Sequence, residues 1–177
     1  METKRHFRYF TIAEYEDEEN YLRSMHKQGW KFIKVNGLGL YHFEKCNPED
    51  VVYQLDYNQE GIKHKEEYIQ MFQDCGWTYL QDYFGYSYFS KPATQKEANS
   101  IFCDDESRLD MMNRVFRGRV LSLIFIFLGV LIPQFVNMVS RHEVILTIFI
   151  GAIILIYLFL FINFARSYHK LKNKIRK

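Results

Sequence analysis

The chain has little of what builds covalently or metal-held structure. Its 177 residues include three cysteines, Cys46, Cys75 and Cys103, far apart in sequence. No disulfide framework and no short-spaced cysteine pair for a zinc site can be built from them. Six histidines, His6, His26, His42, His64, His142 and His169, include no pair at metal-ligand spacing on one helix. Gly37-Leu38-Gly39 leads into an expected strand, so it lacks the helix N-terminus that would cradle a phosphate. No serine or cysteine can be paired with a base, so neither an enzyme nor a cofactor is expected. Met1 to Phe7 carries Lys4 and Arg5 without a following apolar run, so no signal peptide is expected.

Acidic residues are the most unevenly missing. Residues 1–110 hold 13 Lys and Arg against 20 Asp and Glu, a net of −7, whereas 111–177 hold ten basic residues and only Glu143, a net of +9. An acidic N-terminal part argues against nucleic acid as a partner, because that affinity rests on cations neutralising phosphates.

Two long stretches without any charge lie in the basic part, Val120 to Ser140 and Val144 to Ala165. As helices they reach roughly 30 Å, one hydrocarbon thickness. The alternative, two successive core helices of a soluble protein, fits their richness in Ile, Leu and Phe less well. Only Arg141-His142-Glu143 joins them, so an antiparallel hairpin is expected with both flanks on one side. The arginines at 108, 114, 117 and 119 and the basic tail outnumber Arg141, which puts both termini in the cytoplasm of a two-span cell-membrane protein. Lys170, Lys172, Lys174, Arg176 and Lys177 read either as lipid headgroup contacts or as a solvated topogenic tail. Pro133 predicts a kink, with Gln134 and Asn137 beyond it either near the headgroups or partnered on the second helix along a small-molecule path.

The N-terminal part contains a repeat. Glu19-Asn20-Tyr21-Leu22 and Gly29-Trp30-Lys31-Phe32 align, 47 positions on, with Glu66-Glu67-Tyr68-Ile69 and Gly76-Trp77-Thr78-Tyr79. Dropping one residue then aligns Gly39, Phe43 and Lys45 with Gly85, Phe89 and Lys91. The first unit reads as a strand over 7–12, a helix opened by Glu16 to Glu19 and closed by His26, Lys27 and Gly29, and strands over 30–35 and 40–45 around Asn36-Gly37. The second reads as a strand over 51–57, a helix over 63–75, and strands over 77–83 and 86–90. This predicts an α+β domain over 1–92: a duplicated β-α-β-β unit (about 5–46 and 50–92) forming a six-stranded, mainly antiparallel sheet with two helices on one face. A linker over 93–103, a juxtamembrane helix over 104–119 and the two spans follow. Asp104-Asp105-Glu106 reads as helix capping rather than as a metal cluster. Trp30 and Trp77 are expected in equivalent environments.

Phe10-Thr11-Ile12 before an acidic stretch, Tyr21-Leu22, Gly29-Trp30-Lys31-Phe32, Phe43-Glu44-Lys45, Cys75-Gly76-Trp77, Tyr86-Ser87-Tyr88-Phe89 and Phe102 to Arg108 carry a likeness. Together they resemble an uncharacterised family of bacterial membrane proteins, mostly from Gram-positive species and often encoded beside PadR-type transcriptional regulators. The resemblance implies a regulated membrane process and supplies no catalytic residues. At fold level alone, tandem strand-helix-strand-strand modules resemble gyrase-inhibitor-like effector-binding domains. That implies a groove for a small hydrophobic or cationic ligand, with Tyr41, Tyr53, Trp77 and Tyr88 as its aromatic lining and Glu44 as an interior carboxylate for a cation. The competing reading makes those aromatics core.

A membrane-anchored sensor or regulator, binding a small ligand or a protein, is therefore expected, with the helix over 104–119 relaying its state to the spans. The alternative is an accessory subunit of a transporter or envelope complex, with the hairpin as its binding element for another protein or a second copy. The topology predicts that Cys46, Cys75 and Cys103 stay unlabelled by a membrane-impermeant thiol reagent on intact cells, whereas Ser140→Cys in a cysteine-free background reacts. Labelling of Cys103 but not of position 140 would invert the orientation.

Overall fold

A computed structural model describes residues 2–57, 64–93 and 105–175. The chain divides into two compact units, Met1–Met111 and Met112–Lys177. In element order the first holds β1 (Thr3–Phe7), α1 (Tyr15–Lys27), β2 (Trp30–Asn36), β3 (Leu40–Lys45), β4 (Val51–Tyr57), α2 (Lys65–Asp74), β5 (Thr78–Tyr83) and β6 (Tyr86–Pro92). The expected α+β class, six strands and two helices are present. The strands divide into two three-stranded antiparallel sheets, ordered β1-β3-β2 and β4-β6-β5, rather than joining in one.

The two sheets share local detail as well as strand order. Gly29 and Gly76 take φ of 82° and 81° just after α1 and α2, a conformation that glycine adopts without penalty. Register shifts set off Ile33 in β2 and Leu80 in β5, positions 47 apart. Each bulge sharpens the local twist and bends its strand away from a flat continuation. At Gly39 the constraint is steric too: φ is 111°, and an added Cβ would lie 2.1 Å from the Arg8 carbonyl oxygen.

The sheets meet along β2 and β5, where no backbone ladder forms. Instead the Gln81 side-chain amide bridges Val35, its oxygen accepting from the N–H at 3.2 Å and its nitrogen donating to the carbonyl at 3.3 Å. Tyr83 donates to the Gly37 carbonyl at 2.9 Å, joining the two hairpin tips. Helix α1 packs against β2 on one side and β4 on the other. Helix α2 covers the far face of the second sheet, where Phe72, Trp77, Val52 and Phe89 cluster. Every residue of β4 is therefore buried.

Three expectations change. The first strand lies at Thr3–Phe7, not 7–12, because its ladder with β3 ends at the Phe7–Leu40 pair. Phe10 then leaves the sheet to pack its ring on Tyr21 and Tyr41. Trp30 and Trp77 are not equivalent in burial: Trp77 is enclosed, while Trp30 is half-exposed between the ammonium groups of Lys4 and Lys45. Glu18, Glu19 and His26, expected as charges opposing the helix dipole, are buried.

The second unit is helical. Two helices, Ser107–Ser140 and Val144–Asn173, are long and apolar enough to cross a membrane. Large apolar side chains such as Phe125 (70% exposed) and Ile145 (83%) point outward along them. The first begins as α3 (Asp105–Val115), widens into π-helical turns at Phe116–Val120 and Phe127–Leu131, and encloses α4 (Leu121–Ile126) and α5 (Ile132–Ser140). In the second wide turn Ile132 N–H donates to the Phe127 carbonyl, five residues back, immediately before Pro133. Proline lacks an N–H, and the wide turn absorbs that defect. Arg141 and His142 reverse the chain, His142 at φ 57°. Helix α6 (Val144–Ile175) then runs back with Phe127 on Tyr157 and Phe161, Phe116 on Phe164, and Tyr168 donating to Asn113 at 3.2 Å. The expected linker beyond Ala93, Cys103 and Asp104 lie outside the described residues, as do the side chains of Asp105 and Glu106.

Unequal burial predicts unequal tolerance. Trp77→Ala destabilises the first unit by about 3–5 kcal/mol. Trp30→Ala costs less, because a half-exposed ring surrenders two cation–π contacts worth about 0.5–1 kcal/mol each. Denaturation of the full chain followed by circular dichroism measures both, and equal losses would refute the difference.

Candidate functional site

The interior of the first unit is organised around carboxyl groups on α1. Tyr15, Glu18, Glu19, Leu22, Met25 and His26 recur at three- and four-residue intervals and form its buried stripe. Glu18 Oε1 accepts hydrogen bonds from Tyr41 on β3 at 2.6 Å and Tyr88 on β6 at 2.5 Å, so one oxygen joins α1 to both sheets. Phe32 stacks on Tyr88 and leans on Tyr41, closing the apolar surround. Burial pushes the Glu18 carboxyl up, against the two hydroxyl donors that favour its charged form. Both tyrosines are pushed well above their ordinary range, by burial first and then by Glu18.

Glu19 is the neighbouring half of this centre. Its Oε1 accepts from the Leu55 N–H at 2.8 Å. Burial pushes its carboxyl up to about 8, opposed by that N–H and by Arg108 and reinforced by Glu16 and Glu18. Arg108 donates to Glu16 at 2.8 Å. His26 shares a 2.7 Å hydrogen bond with Tyr53, and burial pulls the imidazole below its ordinary value.

The five residues expected to bind a ligand do not come together. Tyr41 and Tyr88 meet at Glu18, while Tyr53 lies nearby with its hydroxyl on His26. All three are buried. Trp77 belongs to the separate cluster under α2. Glu44 is half-buried on β3, paired in register with Thr3 and Lys31, on the face opposite Tyr41 and Phe43. Among the basic residues expected at headgroups, Lys170 and Lys172 are exposed on α6; the Lys174 side chain, Arg176 and Lys177 lie outside the described residues.

Open space lies instead along the outer side of α1. A groove of about 490 Å³ is lined by Arg8, Tyr9 and Phe10 from the β1–α1 loop and by Asp17, Asn20, Tyr21 and Ser24 from the helix, with Glu14 at its end. The Arg8 guanidinium lies 4.6 Å from the centre of the Tyr21 ring and 5.2 Å from that of Phe10. Glu14 is committed to the loop: one of its oxygens accepts from the Thr11 N–H at 2.7 Å and hydroxyl at 2.9 Å. Asp17 is exposed. The groove thus offers an aromatic wall, a fixed cation and a carboxylate. Sequence reasoning missed it because its residues straddle a loop and a helix. No group of three or more potential metal ligands occurs among the described residues.

These features define an α+β domain joined to a pair of apolar helices, a class that fixes architecture and no reaction. A family profile described as "Protein of unknown function (DUF2812)" matches residues 14–126, from the start of α1 into the first long helix, and the chain belongs to that family. Neither a curated protein nor a solved structure matches it.

The raised Glu19 carboxyl sets a pH dependence. Folded Glu19 holds its proton up to about 8, whereas the unfolded group releases it near 4.5. Between those values the folded state binds the extra proton, so the contribution of Glu19 to stability is greatest below about 4.5 and is lost as pH rises through about 8. Glu19→Gln reduces that fall. Melting temperatures of the two proteins across this range test it, and parallel profiles would refute it.

Proposed function

We propose that the chain is a membrane-anchored regulatory protein whose N-terminal unit binds a small ligand or a protein segment in the groove beside α1. The observation that carries this reading is the groove itself, with Tyr9, Phe10 and Tyr21 offering rings and Arg8 and Asp17 offering opposite charges. Such a surface suits an amphipathic molecule: rings cover the apolar part while charged groups fix orientation. The buried Tyr41, Tyr53 and Tyr88 then serve as the scaffold that holds α1 in place.

Further elements of this reading rest on pattern. The matched glycine conformations, bulge positions and strand orders support an internal duplication and, by analogy, the gyrase-inhibitor-like two-module arrangement. The bacterial setting beside PadR-type regulators comes from the family resemblance. Excess Lys and Arg flanking the hairpin support cytoplasmic termini in a cell membrane, with the basic tail against lipid headgroups. One observation favours an accessory-subunit role: Gln134 and Asn137 are exposed on an otherwise apolar helix, where a partner helix would satisfy them.

A thermal-shift screen of the full chain in detergent micelles tests the groove, using hydrophobic cations, lipids and cell-wall-active compounds. A ligand at 100 times its dissociation constant adds about 2.7 kcal/mol of stability. Asp17→Asn or Tyr21→Ala should remove the shift, while Tyr53→Phe retains it. Absence of a shift with every compound would favour the accessory-subunit reading.

A further inference from the structure

The two sheets are covered differently. On the second, the face carrying Tyr53, Leu55, Tyr57, Tyr86 and Tyr88 is buried. On the first, register places Thr3, Arg5 and Phe7 of β1, Leu40, His42 and Glu44 of β3, and Lys31, Lys34 and Asn36 of β2 on the face turned away from Tyr41 and Phe43. Within the first unit, α1 lies on the Tyr41 face and against β4, and α2 against β5, so neither covers that face. It carries Arg5, Lys31 and Lys34, all exposed and without an ion pair among the described residues, against the single carboxylate Glu44. His42, between them, is held below its ordinary value by desolvation and then by Lys34 and Arg5. Apolar side chains also stand in water: Phe7 (72% exposed) and Leu38 of the β2–β3 turn (72%) at one end, and Ile33 at the bulge in mid-strand (42%).

We propose that this open face, carrying Arg5, Lys31 and Lys34 with Phe7, Ile33 and Leu38, docks on the anionic lipid surface of the bilayer that holds the helical hairpin. The proposal rests on the membrane-anchoring reading above. Charge complementarity selects the occupant. The face is positive on a unit that is otherwise acidic, so a second copy of the same face is repelled. An extended polyanion such as nucleic acid would meet the acidic remainder of the unit, whereas a planar lipid surface meets only the face presented to it. Exposed Phe, Leu and Ile beside cations are the side chains that enter the headgroup boundary. Tethering adds to this, because the surface is never farther away than the chain allows.

The test uses the full chain reconstituted in vesicles, with Leu38→Cys in a cysteine-free background carrying an environment-sensitive fluorophore. Gln70→Cys, on the exposed side of α2, is the control. In phosphatidylcholine vesicles containing phosphatidylglycerol, the label at 38 shifts to the blue and is quenched by brominated lipid, while the label at 70 does neither. Arg5→Gln, Lys31→Gln and Lys34→Gln together lower the docked-to-free ratio roughly a hundredfold, at about fivefold per cation. Raising salt to about 1 M, where the screening length is about 3 Å, has the same direction. An unshifted label at 38 in protein that remains in the vesicles through alkaline carbonate overturns docking and leaves anchoring intact. Protein extracted by carbonate overturns anchoring and docking together. A shift already present in pure phosphatidylcholine or in micelles, or one requiring added RNA or an acidic protein, overturns the assignment to anionic lipid.

Discussion

One buried carboxyl group, that of Glu18, holds the first unit in its arrangement. A carboxyl removed from water requires hydrogen-bond donors in the interior, and leaving such a group unsatisfied costs about 1–3 kcal/mol. Here both donors are tyrosines, one from each sheet, so satisfying the carboxyl brings β3 and β6 to the same helix turn. Their rings fill the space around it, and Phe32 seals the junction. The Leu55 amide on Glu19, the next residue, and Tyr53 on His26, about two turns further along α1, extend the same rule. Because α1 serves both sheets, neither sheet is complete without the other. The pair also keeps the tyrosine hydroxyls inside, which leaves the outer surface of α1 to form the groove.

The two β-α-β-β units share a local pattern but differ in what covers them. His42 stands where Tyr88 stands in the repeat alignment, and it faces outward beside Arg5 and Lys34 instead of inward toward a helix. Trp30 and Trp77 begin the corresponding stretch after a left-handed glycine, yet only Trp77 lies under a helix that closes over it. Trp30 receives two lysines in place of apolar neighbours. Like backbone conformations thus carry unlike surfaces. The second sheet lies within the core, while the first leaves one face to solvent.

Most of the architecture was legible because it rests on short-range rules. The charge-free runs, the Asn36-Gly37 turn and the glycines that end α1 and α2 each report a local constraint. What was not legible depends on contacts distant in sequence. Glu16 to Glu19 resemble a solvated helix start, and only the three- and four-residue spacing of Glu18 and Glu19 from Leu22, Met25 and His26 placed them on the buried stripe. That signal was present, but dipole logic concealed it. The first strand carries no apolar alternation to reveal it, because four of its five residues, Thr3 to His6, are polar. The groove had no periodic signature, since a loop and a helix flank build it jointly. The division into two sheets has no local signal, because the edges that meet, β2 and β5, lie far apart in sequence and are bridged through the Gln81 side chain.

Gln81 has a consequence for solubility. An edge strand exposes a row of unpaired peptide groups and invites another chain to add to it. Here β2 and β5 present their edges to each other, and a side-chain amide, with a donor and an acceptor in one plane as a peptide has, occupies the place a neighbouring strand would take. Each sheet thereby blocks the other's inner edge without fusing with it. Two small sheets keep independent twist, and the seam between them is closed to intruding strands.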